Sequence, residues 1–181
     1  TERFDIVYVS QHAPYKIPNS EVNFFFGNKS ITAEEFYAIE QKIVRFLAKH
    51  SKRTNQSFAV LGKRTDSSPY EREFFSSAAS PNTVRFIPRT SETSTYEFCN
   101  SASLIVTADS TIGYEFLARG NKVVFLSGRT NAISDELSRE IHDTNFGFPL
   151  ELGSSGPFWT NTASESDFEQ LIRSVQSMSD A

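Results

Sequence analysis

The stretch Ser103 to Gly128, SLIVTADSTIGYEFLARGNKVVFLSG, leaves this chain few ways to fold. It holds two short apolar runs, Leu104-Ile105-Val106 and Val123-Val124-Phe125-Leu126. Each is continuous and rich in β-branched residues, which is how a strand buried on both faces of a parallel sheet reads. Between them lie a polar elbow, Asp109-Ser110-Thr111, and a helical pattern from Ile112 to Arg119, with Gly120 as the stop. The unit is therefore strand, hydroxyl-rich turn, helix, strand. Its turn sits at the carboxyl end of a strand and the amino end of a helix. Backbone N–H groups and the positive end of the helix dipole converge there, as in an anion site. Glu115 lies about one helical turn past Thr111, on the same side of the helix.

The rest of the chain repeats the alternation. Phe4 to Ser10 predicts a strand. Residues 11 to 31 form a long connection containing Pro14, Pro18 and Gly27, of a length often associated with function. Thr32 with Glu35 forms a capping box, and the helix after it carries Phe36, Ile39, Ile43, Phe46 and Leu47 on one face. Phe58 to Leu61 predicts a second strand, Pro69 opens a short helix through Phe74 and Phe75, and Val84 to Ile87 predicts a third strand. A Ser/Thr-rich loop then leads to a helix from about Tyr96 to Asn100. Beyond Gly128 the spacing of Ile133, Leu137 and Ile141 predicts a helix over 130–142. Phe146 to Leu152 and Pro157 to Trp159 each suggest a short strand. Ser166 with Glu169 reads as a second capping box, ahead of a helix with Phe168, Leu171, Ile172, Val175 and Met178 on one face. The expected fold is α/β: an open, mostly parallel Rossmann-like sheet of five to six strands, with helices on both faces and right-handed crossovers.

Composition limits the partners. The 181 residues are 38% apolar and 22% charged, enough for a single domain, 1–181, with its own core. A net charge of −4 argues against a nucleic acid held on a broad basic surface. Cys99 is the one cysteine, which excludes a disulfide framework and a cysteine-rich zinc site and fits a reducing, cytoplasmic setting. No metal site is expected. The chain enters a strand pattern at once, without a leader pattern, which suggests a domain cut from a longer protein; a complete small protein is the alternative.

Ligands of open α/β sheets bind beyond the carboxyl ends of the strands. The strand-end residues here are Ser10-Gln11-His12 with Lys16 behind, Lys63-Arg64, Arg89 and Arg129. Any one cation reads equally well as an ordinary loop charge. Cations at four strand ends of a net-negative chain favour an anionic ligand such as a phosphate ester. The Asp109-Ser110-Thr111 elbow either starts a helix as a cap or holds that anion. Gly113, unfavourable in a helix by roughly 1 kcal/mol relative to alanine, suggests close approach of a ligand or another backbone. His12 is a candidate general base or phosphate donor, or an ordinary loop histidine. His50 and His142 read as structural, Cys99 as a small core residue, and Tyr114 and Phe116 as core aromatics. Trp159 either packs under the last helix or lines a cleft. There is no P-loop lysine pattern and no GxGxxG.

The run from Asn100 to Gly128 resembles the donor-binding region of GT-B glycosyltransferases and the related nucleotide-sugar 2-epimerases. DSTIGYEFLARG is especially similar to bacterial surface-polysaccharide transferases. The likeness is close over about thirty residues and loose over the remaining strand order. It matches Ser110, Thr111 and Gly113 to the diphosphate turn, Glu115 to the ribose carboxylate, and Ala118-Arg119-Gly120 to the helix end. Lys63, Arg64 and Arg89 would stand near the diphosphate. The resemblance implies the carboxyl-terminal half of a two-domain enzyme, with a nucleotide sugar as substrate and no separate cofactor. The glycan acceptor would be held by an absent domain or partner chain, and the full enzyme would lie at the inner face of a membrane. Ser-Thr-Ile stands where glycines are usual, which leaves uridine, thymidine, guanosine and cytidine donors open. An epimerase-like domain and a non-catalytic nucleotide- or partner-binding module are the rival readings.

Overall fold

The structure is a computed structural model that describes residues 2–12, 21–26, 29–64, 69–79, 84–129 and 147–179. In chain order its elements are β1 (Ile6–Val9), β2 (Asn23–Phe26), β3 (Lys29–Thr32), α1 (Ala33–Thr54), β4 (Phe58–Leu61), α2 (Pro69–Ala78), β5 (Arg85–Ile87), α3 (Ser94–Ser101), β6 (Leu104–Thr107), α4 (Thr111–Ala118), β7 (Val123–Leu126), β8 (Trp159–Thr160) and α5 (Glu165–Ser177). Six strands form one sheet in the order β5-β4-β1-β6-β7-β8, and every pairing in it is parallel. Numbered along the chain, the sheet strands run 3-2-1-4-5-6, the doubly wound order of the Rossmann fold.

Strand alternation sends each run to both faces. Ile6, Tyr8, Val60, Val106 and Val124 pack with α1, α2 and α5 on one side. Val7, Val9, Ala59, Ile105 and Phe125 pack with Cys99 of α3 and Phe116 of α4 on the other. Burying one such side chain contributes about 1.5–3 kcal/mol, more than a typical helix cap, so the sheet sandwich decides the fold and the caps trim it.

Thr32 caps α1 as the capping box predicts: its hydroxyl accepts from the Glu35 N–H, and Glu35 accepts from the Thr32 N–H. Thr32→Ala is expected to lower stability by about 1 kcal/mol and Tm by roughly 2–4 °C, read by thermal melting. An unchanged Tm would show that the sandwich alone positions α1.

Four features differ from the sequence reading. The connection after β1 contains an antiparallel hairpin, β2–β3, whose Phe24 and Ile31 pack on Phe36 and Tyr37 of α1. Leu150–Leu152 is a 3-10 turn and not a strand. The α5 cap is Ser164, which accepts from the Asp167 N–H, so the helix begins earlier than a Ser166 box allows. Glu169 instead faces Arg53, His50 and Arg173, and the two arginines and the histidine hold its carboxyl down at about 2 against the opposing effect of burial. Met178 is exposed, outside the α5 stripe. The helix expected over 130–142, with His142, and Phe146 lie outside the described residues.

Candidate functional site

In the order 3-2-1-4-5-6 the chain reverses direction across the sheet between β1 and β6, and a crevice opens at the carboxyl ends of those two strands. Side chains stitch the floor of that crevice. Thr107 Oγ1 donates to Val9 O at 3.2 Å and accepts from the Ser110 N–H at 3.2 Å. The Asp109 N–H donates to Gln11 Oε1 at 3.1 Å, and Ser127 Oγ donates to Ala108 O at 2.6 Å. The elbow is thereby fixed from β1, β6 and β7 together.

A first recess of about 240 Å³ opens over this floor. Ser10 and Gln11 supply one wall, Lys63 and Arg89 stand at the ends of β4 and β5, and the elbow with Thr111 closes the far side. Ser110 is the N-cap of α4, yet its hydroxyl makes no capping bond. The amino end of α4 therefore meets the recess without a side-chain cap, with two cations on the opposite wall. Arg89 is held by bonds to Ser91 O and Glu92 O. Lys63 Nζ lies 3.4 Å from Gln11 O.

A second recess of about 360 Å³ shares Gln11, Lys63 and Asp109 with the first. Phe36, Tyr37, Tyr114, Arg129 and Gly147 complete its wall. Arg129 is buried, with its guanidinium 3.9 Å from the centre of the Phe36 ring. It donates to Phe36 O and pairs with Asp109 Oδ1 at 3.3 Å.

Behind both recesses lies Glu40 of α1, fully buried. Its Oε2 accepts from Tyr8 Oη and from the Gln11 N–H, both at 2.9 Å. Burial pushes its carboxyl up to about 7 against the opposing charge of Arg129 and its two hydrogen bonds. A second buried carboxylate, Glu71, accepts from Ser10 Oγ at 2.7 Å and from the Lys63 N–H at 2.9 Å. Its pKa is raised, chiefly by burial. The two glutamates hold the ends of β1 and β4 from behind the wall.

Residues 2–181 match a family described as "putative O-antigen biosynthesis protein". The chain belongs to that family. No curated protein and no solved structure matches it. The family's description gives a surface-polysaccharide role and names no reaction. Among the described residues, no helix is long and apolar enough to cross a membrane.

In this member of the O-antigen biosynthesis family, Ser110, Thr111, Lys63 and Arg89 meet in one recess. Glu115 does not line it. It lies one turn further along α4, exposed, and accepts from Tyr96 Oη of α3 at 3.0 Å. Arg64 is exposed and outside both recesses, and Lys16 lies outside the described residues. Gly113 answers to packing and not to a ligand: a Cβ there would stand 2.8 Å from Phe125 and 2.9 Å from Thr107. His12 is buried, stacked on Phe74 at 3.9 Å, and lines neither recess. Burial, helped by the Lys63 charge, lowers its pKa to about 4, so it is neutral near pH 7. Arg129, expected as a strand-end cation, is a buried brace. Phe116 and Cys99 are core, and burial raises the Cys99 thiol to about 12. Tyr114, expected in the core, is 44% exposed at the second recess. Trp159 packs on the face opposite α5, stacked on Phe148 at 4.6 Å.

Glu40 escaped the sequence reading, while Gln11 and Asp109 were placed at the strand end and in the elbow without the bond that joins them. For Glu40 a signal existed: it lies four residues after Phe36 and three before Ile43, inside the apolar stripe of α1. A carboxylate in that stripe has to be buried with partners.

Proposed function

We propose that the chain is the nucleotide-sugar donor-binding domain of a glycosyltransferase in surface-polysaccharide synthesis. One observation carries the reading. At the switch point of the sheet, the α4 amino end lacks a side-chain cap and shares a recess with Lys63 and Arg89. A diphosphate seated on Ser110 and Thr111 would receive backbone N–H groups, the positive helix end and two cations. The same groups would stabilise charge as the nucleoside diphosphate leaves, because they are fixed before it develops. From there the nucleoside would run along α4 on the side facing α3. Its ribose diol would reach Glu115 and compete with Tyr96 for that carboxylate. The catalytic base and the glycan acceptor site belong to another domain or a partner chain.

Isothermal titration against UDP, TDP, GDP and CDP tests this. One diphosphate is expected to bind, and Glu115→Gln to weaken it about tenfold through loss of a charge-assisted bond. Tyr96→Phe, which frees the Glu115 carboxylate, is expected to preserve or tighten binding. No binding by any of the four would overturn the reading. Binding unaffected by Glu115→Gln would remove the ribose assignment alone.

A further inference from the structure

The second recess has a chemistry unlike the first. Three aromatic side chains, Phe36, Tyr37 and Tyr114, line it. The buried Arg129 lies over the Phe36 ring and is paired with Asp109, so the exposed charge of this recess is Lys63, shared with the first. A second phosphate would have to compete with Asp109 for that guanidinium. Polar capacity is nevertheless present. Gln11 spends its Oε1 on the Asp109 N–H, which leaves its amide N–H groups to donate. The hydroxyl of Tyr114 has no hydrogen-bond partner among the described residues, and Asp109 keeps acceptor capacity beyond its Arg129 bond. The recess volume of about 360 Å³ falls in the range of small-molecule sites, roughly 300–1,000 Å³.

We propose that this second recess binds one saccharide ring. A pyranose presents C–H groups on its faces and hydroxyls around its edge. The exposed Tyr114 ring suits a face, with Phe36 and Tyr37 buried against Arg129, Phe24 and His12 beneath it, while Asp109, Gln11 and the Tyr114 hydroxyl suit a polyol edge. The ring has two sources: the sugar carried on a nucleotide in the first recess, through the shared wall of Gln11, Lys63 and Asp109, or the end of a glycan acceptor. The first source rests on the nucleotide reading and the second does not.

Saturation-transfer NMR on the whole chain, with methyl glycosides of glucose, galactose, mannose and rhamnose, tests the proposal. At least one glycoside is expected to receive saturation, and Tyr114→Ala to weaken it about fivefold. Tyr114 lines only the second recess, so nucleoside diphosphate affinity stays unchanged in the same variant. Tyr114→Phe keeps the packing on Phe125 and removes only the hydroxyl, and is expected to weaken glycoside binding without loss of fold. Displacement of the glycoside by a nucleotide sugar, and not by its diphosphate, identifies the donor as source. Retention of the glycoside beside the bound nucleotide sugar identifies the acceptor. No transfer to any glycoside, with no affinity gained from the sugar of a nucleotide sugar, overturns the proposal. So does transfer undiminished in Tyr114→Ala. Glycoside binding without any nucleotide binding would sink the donor reading and leave this site standing.

Discussion

Replacing Lys63 and Arg89 together by alanine is expected to lower the affinity for the best-binding nucleoside diphosphate about a hundredfold, with the fold intact. Both cations stand on the wall opposite the α4 amino end. A charge-assisted hydrogen bond contributes roughly 1.5–3 kcal/mol, and each 1.4 kcal/mol is a factor of ten. Two such bonds give about two orders of magnitude. Lys63 is exposed and, among the described residues, Arg89 bonds only to carbonyls of its own loop, so stability should move by less than about 0.5 kcal/mol. Arg64→Ala supplies the control, since Arg64 is equally cationic but lines neither recess. Titration at two salt concentrations adds a second reading. The parent should lose affinity with salt more steeply than the double variant, because exposed charges are screened over about 10 Å at 0.1 M. A double variant that binds like the parent would place the anion elsewhere.

Glu40→Gln is expected to change the pH dependence of stability by up to about 3 kcal/mol. The folded-state value for Glu40 is about 7 against 4.5 for the free group. The folded protein therefore holds a proton that the unfolded chain has released, and stability falls as pH rises from 4.5 through 7. His12 has the opposite sign. Its folded value of about 4 against 6.5 means the unfolded chain takes up the proton first, so stability falls as pH drops from 6.5 to 4. The two slopes oppose each other between about pH 4.5 and 6.5. The groups facing Glu40 are Tyr8 and Gln11 from β1, Asp109 after β6 and Arg129 after β7. Glutamine can keep the bonds from Tyr8 and Gln11 through its carbonyl oxygen and carries no charge to desolvate. The variant should therefore match the parent near pH 4.5 and exceed it increasingly toward pH 8, leaving the His12 slope uncovered. Urea midpoints at constant m across that range read the difference. A constant offset between the two proteins would show that Glu40 does not titrate on its own in this interval.

The sheet was legible because four of its strands, β1, β4, β6 and β7, are buried on both faces. Continuous runs such as Val123 to Leu126 cannot sit at a surface, and the order of strands and helical patterns then admits few topologies. The β2–β3 hairpin was not legible. Asn23 to Phe26 and Lys29 to Thr32 are four residues each and pack as a separate pair against the start of α1 and Phe74, so neither shows the periodicity of a sheet strand. The elbow and its cations could be placed at one edge from sequence, but not sorted into two recesses. That sorting depends on where α1 crosses the crevice, and α1 brings Phe36, Tyr37 and Glu40 there from far along the chain. Glycine at 113 was read as room for a ligand or another backbone, when it is room for the side chains of Phe125 and Thr107. A missing side chain marks a close approach without naming what approaches.

The stitches across the crevice floor have a thermodynamic consequence. Thr107, Gln11 and Ser127 are already committed to Val9, Asp109 and Ala108 before anything binds. Ordering a rotamer-rich side chain on binding typically costs about 0.5–1.5 kcal/mol. For these residues that entropy is lost during folding, so a ligand arriving at the elbow meets donors whose directions are already set. The same rigidity limits tolerance. A ligand that needs a wider floor cannot obtain it by parting β1 from β6, and selectivity at this edge is a property inherited from the fold.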